Sequence, residues 1–336
     1  MYRYAIIGFG GLGKKHLCNL KKIEQERGDF CLAAICGTTA DKAKESVATN
    51  IGTADLSDID FSSCKFYQDY KEMIDNEKLD FVLSVLPTYL HKEVAVYALS
   101  KGIHVFSEKP MALTLDDCEA MICAARENKR ILMIGQVLRF NQAWRQIKEY
   151  IKSNQFGKVC KASFERYSQT PLWTWNNWIL DPEKSGGCLL DMHVHDVDMI
   201  NWIFGMPKSL RSFVTSNKVE LESISTQYFY EDFVVEGRAD WSLPQTFSFR
   251  ALCRIDFEKA SVVLDGNELN IYTDDKCETK TFTDENDFIE ELRTFLKLAL
   301  DGEERCETTS AESVRDSVKI VMKELEAAQK QETVLF

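Results

Sequence analysis

The chain has 336 residues, with 41 Lys and Arg against 53 Asp and Glu, a net charge of −12. Hydrophobic residues make up 45%, while Gly and Pro number only 16 and 6, so collagen-like and disordered architectures are excluded and a large apolar core is within reach. The acid excess also excludes a general nucleic-acid binder, which needs a basic face to neutralise phosphates, and a polybasic membrane anchor.

At ~150 residues per domain the length predicts two domains. The 11 Cys show no Cys-x-x-Cys spacing and read as free thiols of a reducing compartment. The opening MYRYAIIGFGGLGKKH lacks the features of a signal peptide. No apolar run approaches the ~20 residues of a membrane span. A cytoplasmic protein is expected.

In chain order, apolar runs at Tyr4–Ile7, Phe30–Cys36, Phe81–Leu86, Ile103–Phe106 and Ile131–Val137 alternate with helical stretches. The stretches are Lys14–Arg27, Lys42–Thr49, Lys92–Lys101 and Leu115–Asn128. Continuous apolar strands alternating with helices predict a parallel, doubly wound α/β domain over residues 1–137. The pattern then changes. Ser248–Phe257 alternates, with Phe249, Ala251, Cys253, Ile255 and Phe257 on one face. Val159–Tyr167, Leu210–Ser216, Thr226–Phe233, Val234–Trp241 and Val262–Tyr272 also read as strands, the last broken by a turn at Gly266-Asn267. Residues 138–304 are therefore expected to form an α+β domain with a large, mostly antiparallel sheet. Helices are expected at about Glu285–Leu300 and Ala311–Gln329, and the segment 305–336 is expected to pack back on the first domain.

Gly8-Phe9-Gly10-Gly11-Leu12-Gly13 fits G-x-G-x-x-G between a strand and a helix. Its glycines permit the tight turn, the approach to a pyrophosphate and the close helix–strand packing of a dinucleotide site. The second strand ends Cys36-Gly37-Thr38-Thr39 without the usual ribose-binding acid. Thr38, Thr39 and Lys42 can meet a 2′-phosphate, which favours NADP slightly over NAD.

Further on, Ser107-Glu108-Lys109-Pro110 ends a strand where open α/β sheets bind ligands. Lys109 can hold a substrate oxygen there, and Pro110 is a candidate for a cis bond. Asp191, His195 and Asp198 fall on one stripe of a helix entered through Ser185-Gly186-Gly187. An Asp and a His one turn apart suit acid/base work, with a shared metal or a plain buried ion pair as rival readings. His193 points away and reads as a packed core residue. Trp173, Trp175 and Trp178 can wall a sugar face, fill core or form an oligomer contact.

Together GFGGLG, LPTYLHKEVAVYALSKGIHVFSEKPMALT, GQVLRFNQAW and SGGCLLDMHVHDVDMINWIFG resemble the Gfo/Idh/MocA family of oxidoreductases. The resemblance spans nearly the whole chain. It implies a Rossmann domain for the cofactor and an open-faced sheet domain for substrate and oligomer contacts, as a homo-dimer or homo-tetramer. It implies that Lys109 meets substrate and nicotinamide, beside Glu108, and that His195 accepts a proton beside Asp191. It implies that Leu86, Pro87, Thr88 and His91 line the cofactor. The expected activity is hydride transfer between NAD(P) and a secondary alcohol of a sugar, cyclitol or related polyol, with no metal. The alternatives are glycoside cleavage through transient oxidation with a retained cofactor, and a non-catalytic dinucleotide or sugar sensor. The chain departs from the family pattern at Cys188, Ile179 and His193, where a third Gly, an Arg and a small residue are usual.

Overall fold

The computed structural model describes residues 1–45, 54–283 and 286–336. The chain runs β1 (Tyr2–Ile7), α1 (Gly11–Arg27), β2 (Phe30–Cys36), α2 (Ala40–Ala43), β3 (Lys65–Tyr67), α3 (Tyr70–Asn76), β4 (Phe81–Ser84), α4 (His91–Ser100), β5 (His104–Glu108), α5 (Leu115–Glu127), β6 (Leu132–Gly135) and α6 (Gln142–Lys152). It continues β7 (Val159–Gln169), α7 (Pro182–Ser185), α8 (Val194–Phe204), β8 (Ser209–Thr215), β9 (Ser223–Phe229), β10 (Val234–Leu243), β11 (Arg250–Phe257), β12 (Ser261–Asp265), β13 (Glu268–Tyr272), β14 (Cys277–Thr281), α9 (Asp287–Leu296), α10 (Ala311–Lys330) and β15 (Val334–Leu335).

Two compact units result, Met1–Gly135 with Phe288–Glu312, and Gln136–Asp287 with Ser313–Phe336. The first holds a six-stranded sheet in the order β3-β2-β1-β4-β5-β6, with every pairing parallel. Strands β2, β4 and β6 are buried almost along their whole length, as in a sheet covered on both faces, whereas the edge strand β3 is exposed or half-buried. Tyr4, Phe30, Phe81 and Phe106 are buried in it, and Phe295 of α9 packs edge-on against Phe81 and Phe106. The strand order reverses between β1 and β4, the switch point where such sheets bind ligands at their carboxyl ends.

The second unit holds a nine-stranded sheet, β14-β13-β12-β11-β7-β10-β9-β8-β15. All its pairings are antiparallel except β7 with β10. Alternate residues are buried, as Leu210 and Ser212 are on β8, while Arg211 and Phe213, the residues that follow each, are exposed.

Several elements differ from their sequence reading. The runs Phe81–Leu86 and Ile131–Val137 leave the sheet at Ser84 and Gly135, so Val85 and Leu86 form a loop. Phe249 precedes β11 and is exposed, so the alternation governs burial only from Cys253 onward. Of the expected helix Lys42–Thr49 only the start, in α2, is described, and residues 46–49 lie outside the described residues, as does Glu285. The C-terminal segment also divides differently. Residues Phe288–Glu312 belong with the first unit and Ser313–Phe336 with the second. The physical reason is polar as well as apolar: Ser317 and Glu324 of α10 bond to Asp198 and His193, and β15 pairs with β8.

Candidate functional site

The glycine loop leaves β1 at the switch point. Gly8 has φ +90, and a side chain on it would collide with the Val85 carbonyl. A Cβ on Gly13 would collide with the Gly8 carbonyl. These two positions thus demand glycine for backbone packing. Gly10 differs: a Cβ there meets nothing within 4 Å. It is the exposed N-cap of α1, whose first turn carries neither a side-chain cap nor an acid. An open, acid-free helix N-terminus fits a pyrophosphate, because its amides and dipole favour negative charge. Gly11 and Leu12 are half-buried beside it, and Phe9 is buried.

Neighbouring loops close around this turn. Gly8 N–H donates to Cys36 O at 3.1 Å, and Val85 N–H donates to Ile7 O at 2.7 Å. Thr38 is half-buried, while Thr39 and Lys42 are exposed around α2. Thr39 is the N-cap residue of α2 but makes no side-chain cap bond. The only acid in the first turn of α2 is the exposed Asp41.

Leu86 and Pro87 are half-buried and Thr88 is buried, on the loop after β4. His91 opens α4 with 0% exposure, its Nε2 2.8 Å from Leu86 O and its Nδ1 2.8 Å from Pro110 O. Burial pushes its pKa down. Both ring nitrogens thus stand within hydrogen-bond distance of the chain's own carbonyls. At the end of β5, Glu108 is buried, Lys109 half-buried, and the Lys109–Pro110 peptide is cis. Glu108 Oε1 accepts from His16 Nε2 at 2.6 Å, and Oε2 accepts from the Lys109 amide at 3.1 Å. The glycine loop, Thr38, Leu86–Thr88 and Glu108-Lys109 therefore share the carboxyl edge of one sheet.

His16 was not singled out by motif reading. The signal was present: Gly13, His16, Leu17 and Leu20 are spaced three and four apart and all face inward.

The remaining candidates lie in the second unit. Gly186 and Gly187, both with positive φ, lead into a π-helical turn over Leu189–His193 that runs into α8. Asp191 and His195 are half-buried, one on each segment. The π turn breaks the 3.6-residue repeat between Asp191 and His195, whereas His195 and Asp198 share the regular helix α8 and differ in burial and partners. Asp198 does not share their setting. It is fully buried, its oxygens accepting from Arg139 at 2.8 and 2.7 Å and from Ser317 at 2.8 Å.

His193 is fully buried, as expected of a core residue, but it is also charged. Its Nε2 lies 3.0 Å from Tyr228 Oη and 3.2 Å from Glu324 Oε1, and Tyr228 donates to the same carboxylate. Asp196, one turn on, takes a bidentate pair of bonds from Arg166 at 2.9 Å. Burial opposes the charge on His193, yet Glu324 and Asp196 push its pKa up to about 9. Glu324, on α10, was outside every sequence motif.

Cys188 and Ile179 are buried, whereas Trp173 and Trp175 are exposed, which removes the core reading for those two tryptophans. Among the described residues no cluster of three His, Cys, Asp or Glu is arranged to hold a metal, and no helix is long and apolar enough to cross a membrane.

Comparison with known proteins gives a consistent picture. Residues 2–136 match the model described as "Oxidoreductase family, NAD-binding Rossmann fold", and residues 144–262 match the "GFO/IDH/MocA C-terminal domain". Myo-inositol 2-dehydrogenase of Thermotoga maritima is 31% identical over 205 residues, 60% of this chain and 55% of that protein. 2,7-Anhydro-N-acetylneuraminate hydratase of Mediterraneibacter gnavus is 32% identical over 148 residues, 44% of this chain and 39% of that protein. The chain thus spans about half the length of the curated relatives it matches. In fold, it superposes on an aldose-aldose oxidoreductase from Caulobacter crescentus with a TM-score of 0.82 at 22% identity, covering 100% of this chain and 99% of the other. A levoglucosan dehydrogenase in complex with NADH and levoglucosan gives 0.83 at 18% identity, covering 99% of each chain.

Proposed function

We propose that this chain, which belongs to the Gfo/Idh/MocA oxidoreductase family, transfers hydride between NAD(P) and a secondary alcohol or ketone of a sugar, cyclitol or related polyol. The observations that support the reading are made within each unit separately. An open, acid-free helix N-terminus stands at the switch point of the first unit, with Lys109 on the same sheet edge. In the second unit, Asp191 lies on the π turn and His195 on the helix that continues it. A sensor that only bound dinucleotide or sugar would have no use for all three side chains.

The residues Gly8–Gly13 would hold the pyrophosphate, Thr38, Thr39 and Lys42 the adenosine ribose or its 2′-phosphate, and Leu86, Pro87, Thr88, Glu108 and Lys109 the nicotinamide end. When bound, the cofactor supplies the hydride acceptor or donor. In the oxidation direction His195 takes the hydroxyl proton, while Asp191 orients the imidazole and stabilises its charged form. Lys109 holds the reacting oxygen and offsets the charge that develops on it. The absence of an acid at Gly37-Thr38-Thr39 favours NADP over NAD. Homo-oligomer formation through the open sheet face, where Phe213 and Tyr272 are exposed, completes the assignment, together with a cytoplasmic location.

The test is a panel of myo-inositol, scyllo-inositol, D-glucose, L-sorbose and levoglucosan, assayed with NAD and NADP separately. Net formation of NAD(P)H from a free polyol is expected, which separates a dehydrogenase from an enzyme that returns its cofactor unchanged. Lys109→Ala and His195→Ala should each lower kcat by about 10²- to 10⁴-fold, with nucleotide binding retained in the His195 variant. Normal turnover in both variants overturns the site assignment. Tighter binding of NAD than of NADP overturns the preference.

A further inference from the structure

We propose that His16 and His91 are positioning residues that hold the Glu108-Lys109-Pro110 turn at its two ends. This rests on the reading of Lys109 as the group that meets the reacting oxygen. It goes beyond that reading by saying what fixes Lys109.

The two rings are buried with 0% exposure, and each bonds to a residue adjoining Lys109. His16 Nε2 donates to Glu108 Oε1 at 2.6 Å. The other oxygen of that carboxylate accepts the Lys109 amide at 3.1 Å, so the His16 bond passes through Glu108 to the backbone of Lys109. On the other flank, His91 Nδ1 stands 2.8 Å from the Pro110 carbonyl. Reorienting the backbone at Lys109 therefore disrupts contacts on both sides.

The far ends of the two connections are equally informative. His16 is on α1, the helix that opens at the glycine loop, and its ring packs edge-on against Phe106 and Phe288 at 5.5 and 5.7 Å. No rotamer freedom remains in such a setting. His91 reaches Leu86 O through Nε2 at 2.8 Å, in the loop that abuts Gly8 through Val85. One ring thus ties Lys109 to the helix of the phosphate loop, and the other ties it to the loop after β4. A histidine that merely filled core space would have no reason to bridge these segments, and here two histidines do so around a single lysine.

Placement errors of about 1 Å at a reacting group cost up to ~100-fold in rate. The experiment is a double-mutant cycle in the full chain. Turnover is measured with the panel polyol that the wild type oxidises fastest. NADP and NAD titrations and amide exchange of the peptide 105–112 are measured alongside. His16→Leu and His91→Leu should each lower kcat by about 10- to 100-fold with KM little changed, and the 105–112 amides should exchange faster. His16→Gln, which keeps an N–H donor toward Glu108, should recover most of both. In a Lys109→Ala background neither Leu substitution should lower kcat further, because the effect acts through that lysine. Should the Leu variants fail to fold, Glu108→Gln and His91→Gln carry the same cycle with smaller losses.

Losses that add to that of Lys109→Ala, or kcat and exchange equal to wild type, overturn the proposal. Wild-type turnover by Lys109→Ala would instead overturn the catalytic reading of Lys109. The exchange data would still decide whether the two rings hold the turn.

Discussion

The two units bury their histidines for opposite electrostatic purposes. In the first, the pKa values of His91 and His104 are drawn down. Burial pushes His91 down, and burial with the charge of Arg130 takes His104 down to about 4. His104 Nδ1 accepts the Ile131 amide at 3.0 Å, a role open only to a ring nitrogen without a proton. In the second unit His193 is held charged by Glu324 and Asp196, against burial, with a pKa of about 9. The first unit is thus organised around close backbone approach, with His91 and His104 bonded to main-chain groups. The second is organised around a buried charge network that joins α8 to β7, β9 and α10. The contrast teaches where each unit is fragile: the first to added volume and to acid, the second to loss of a charge and to base.

The largest effect should come from adding one methyl group to the first unit's backbone. Gly8→Ala forces a positive φ on a side chain and drives its Cβ into the Val85 carbonyl. A loss of about 3 kcal/mol or more is expected, read as a fall in the unfolding midpoint. Gly10→Ala has open space around its Cβ. It should melt like the wild type while its NAD(P) affinity falls, measured by nucleotide titration. If Gly10→Ala binds nucleotide normally, the loop is a structural turn and the cradle reading fails.

This contrast between Gly8 and Gly10 also marks how far the sequence was legible. G-x-G-x-x-G reveals the loop because its spacing encodes a turn and a helix start. The motif also assigns the turn to Gly8, the pyrophosphate approach to Gly10 and the packing to Gly13; it does not name the carbonyl of Val85, from the loop after β4, against which Gly8 sits. The parallel sheet was readable from continuous apolar runs, because burial on both faces leaves nothing else for those strands to be. β14 was not, as its sequence Cys277–Thr281 is mostly exposed and polar. Helical spacing proposes Asp191 and His195 as a pair, but it cannot show the π turn that lies between them. Helical spacing places Asp198 on the same stripe, but it cannot show that Arg139 and Ser317, distant in the chain, bury and bond that carboxylate. The partners of His193 were beyond reach, since Glu324 lies 131 residues away on a helix whose pattern looks ordinary.

The next largest effect should follow from removing that distant carboxylate. Glu324→Leu leaves the imidazolium of His193 without its main counter-charge and should cost about 3 kcal/mol. The double variant His193→Leu/Glu324→Leu should recover part of that loss, because an apolar pair needs no charge compensation. The pH profile sharpens the point. His193 titrates near 6.5 when unfolded and at about 9 when folded, so the folded state holds the extra proton between these values. Its contribution is fully present below pH ~6.5 and is lost as pH rises through about 9. Denaturant melts between pH 6 and 10 should show this decline in the wild type and a flatter curve in Glu324→Leu. An equal slope in both would mean that the network does not hold the proton.

The smallest effect belongs to the acid side, where the sign reverses. His104 is neutral in the folded state down to about pH 4 but takes up a proton near 6.5 when unfolded. Its contribution is therefore present above pH ~6.5 and fades as pH falls toward 4, the mirror image of His193. The ring is partly exposed, so solvent screening reduces the effect to about 1 kcal/mol. His104→Gln keeps an acceptor for the Ile131 amide and removes the titration. Its stability should match the wild type at pH 7.5 and exceed it by about 1 kcal/mol at pH 4.5, measured by urea melts at both values. If the variant is instead equally acid-sensitive, the acid limb arises from other groups, and the opposition between the two units rests on His91 and His193 alone.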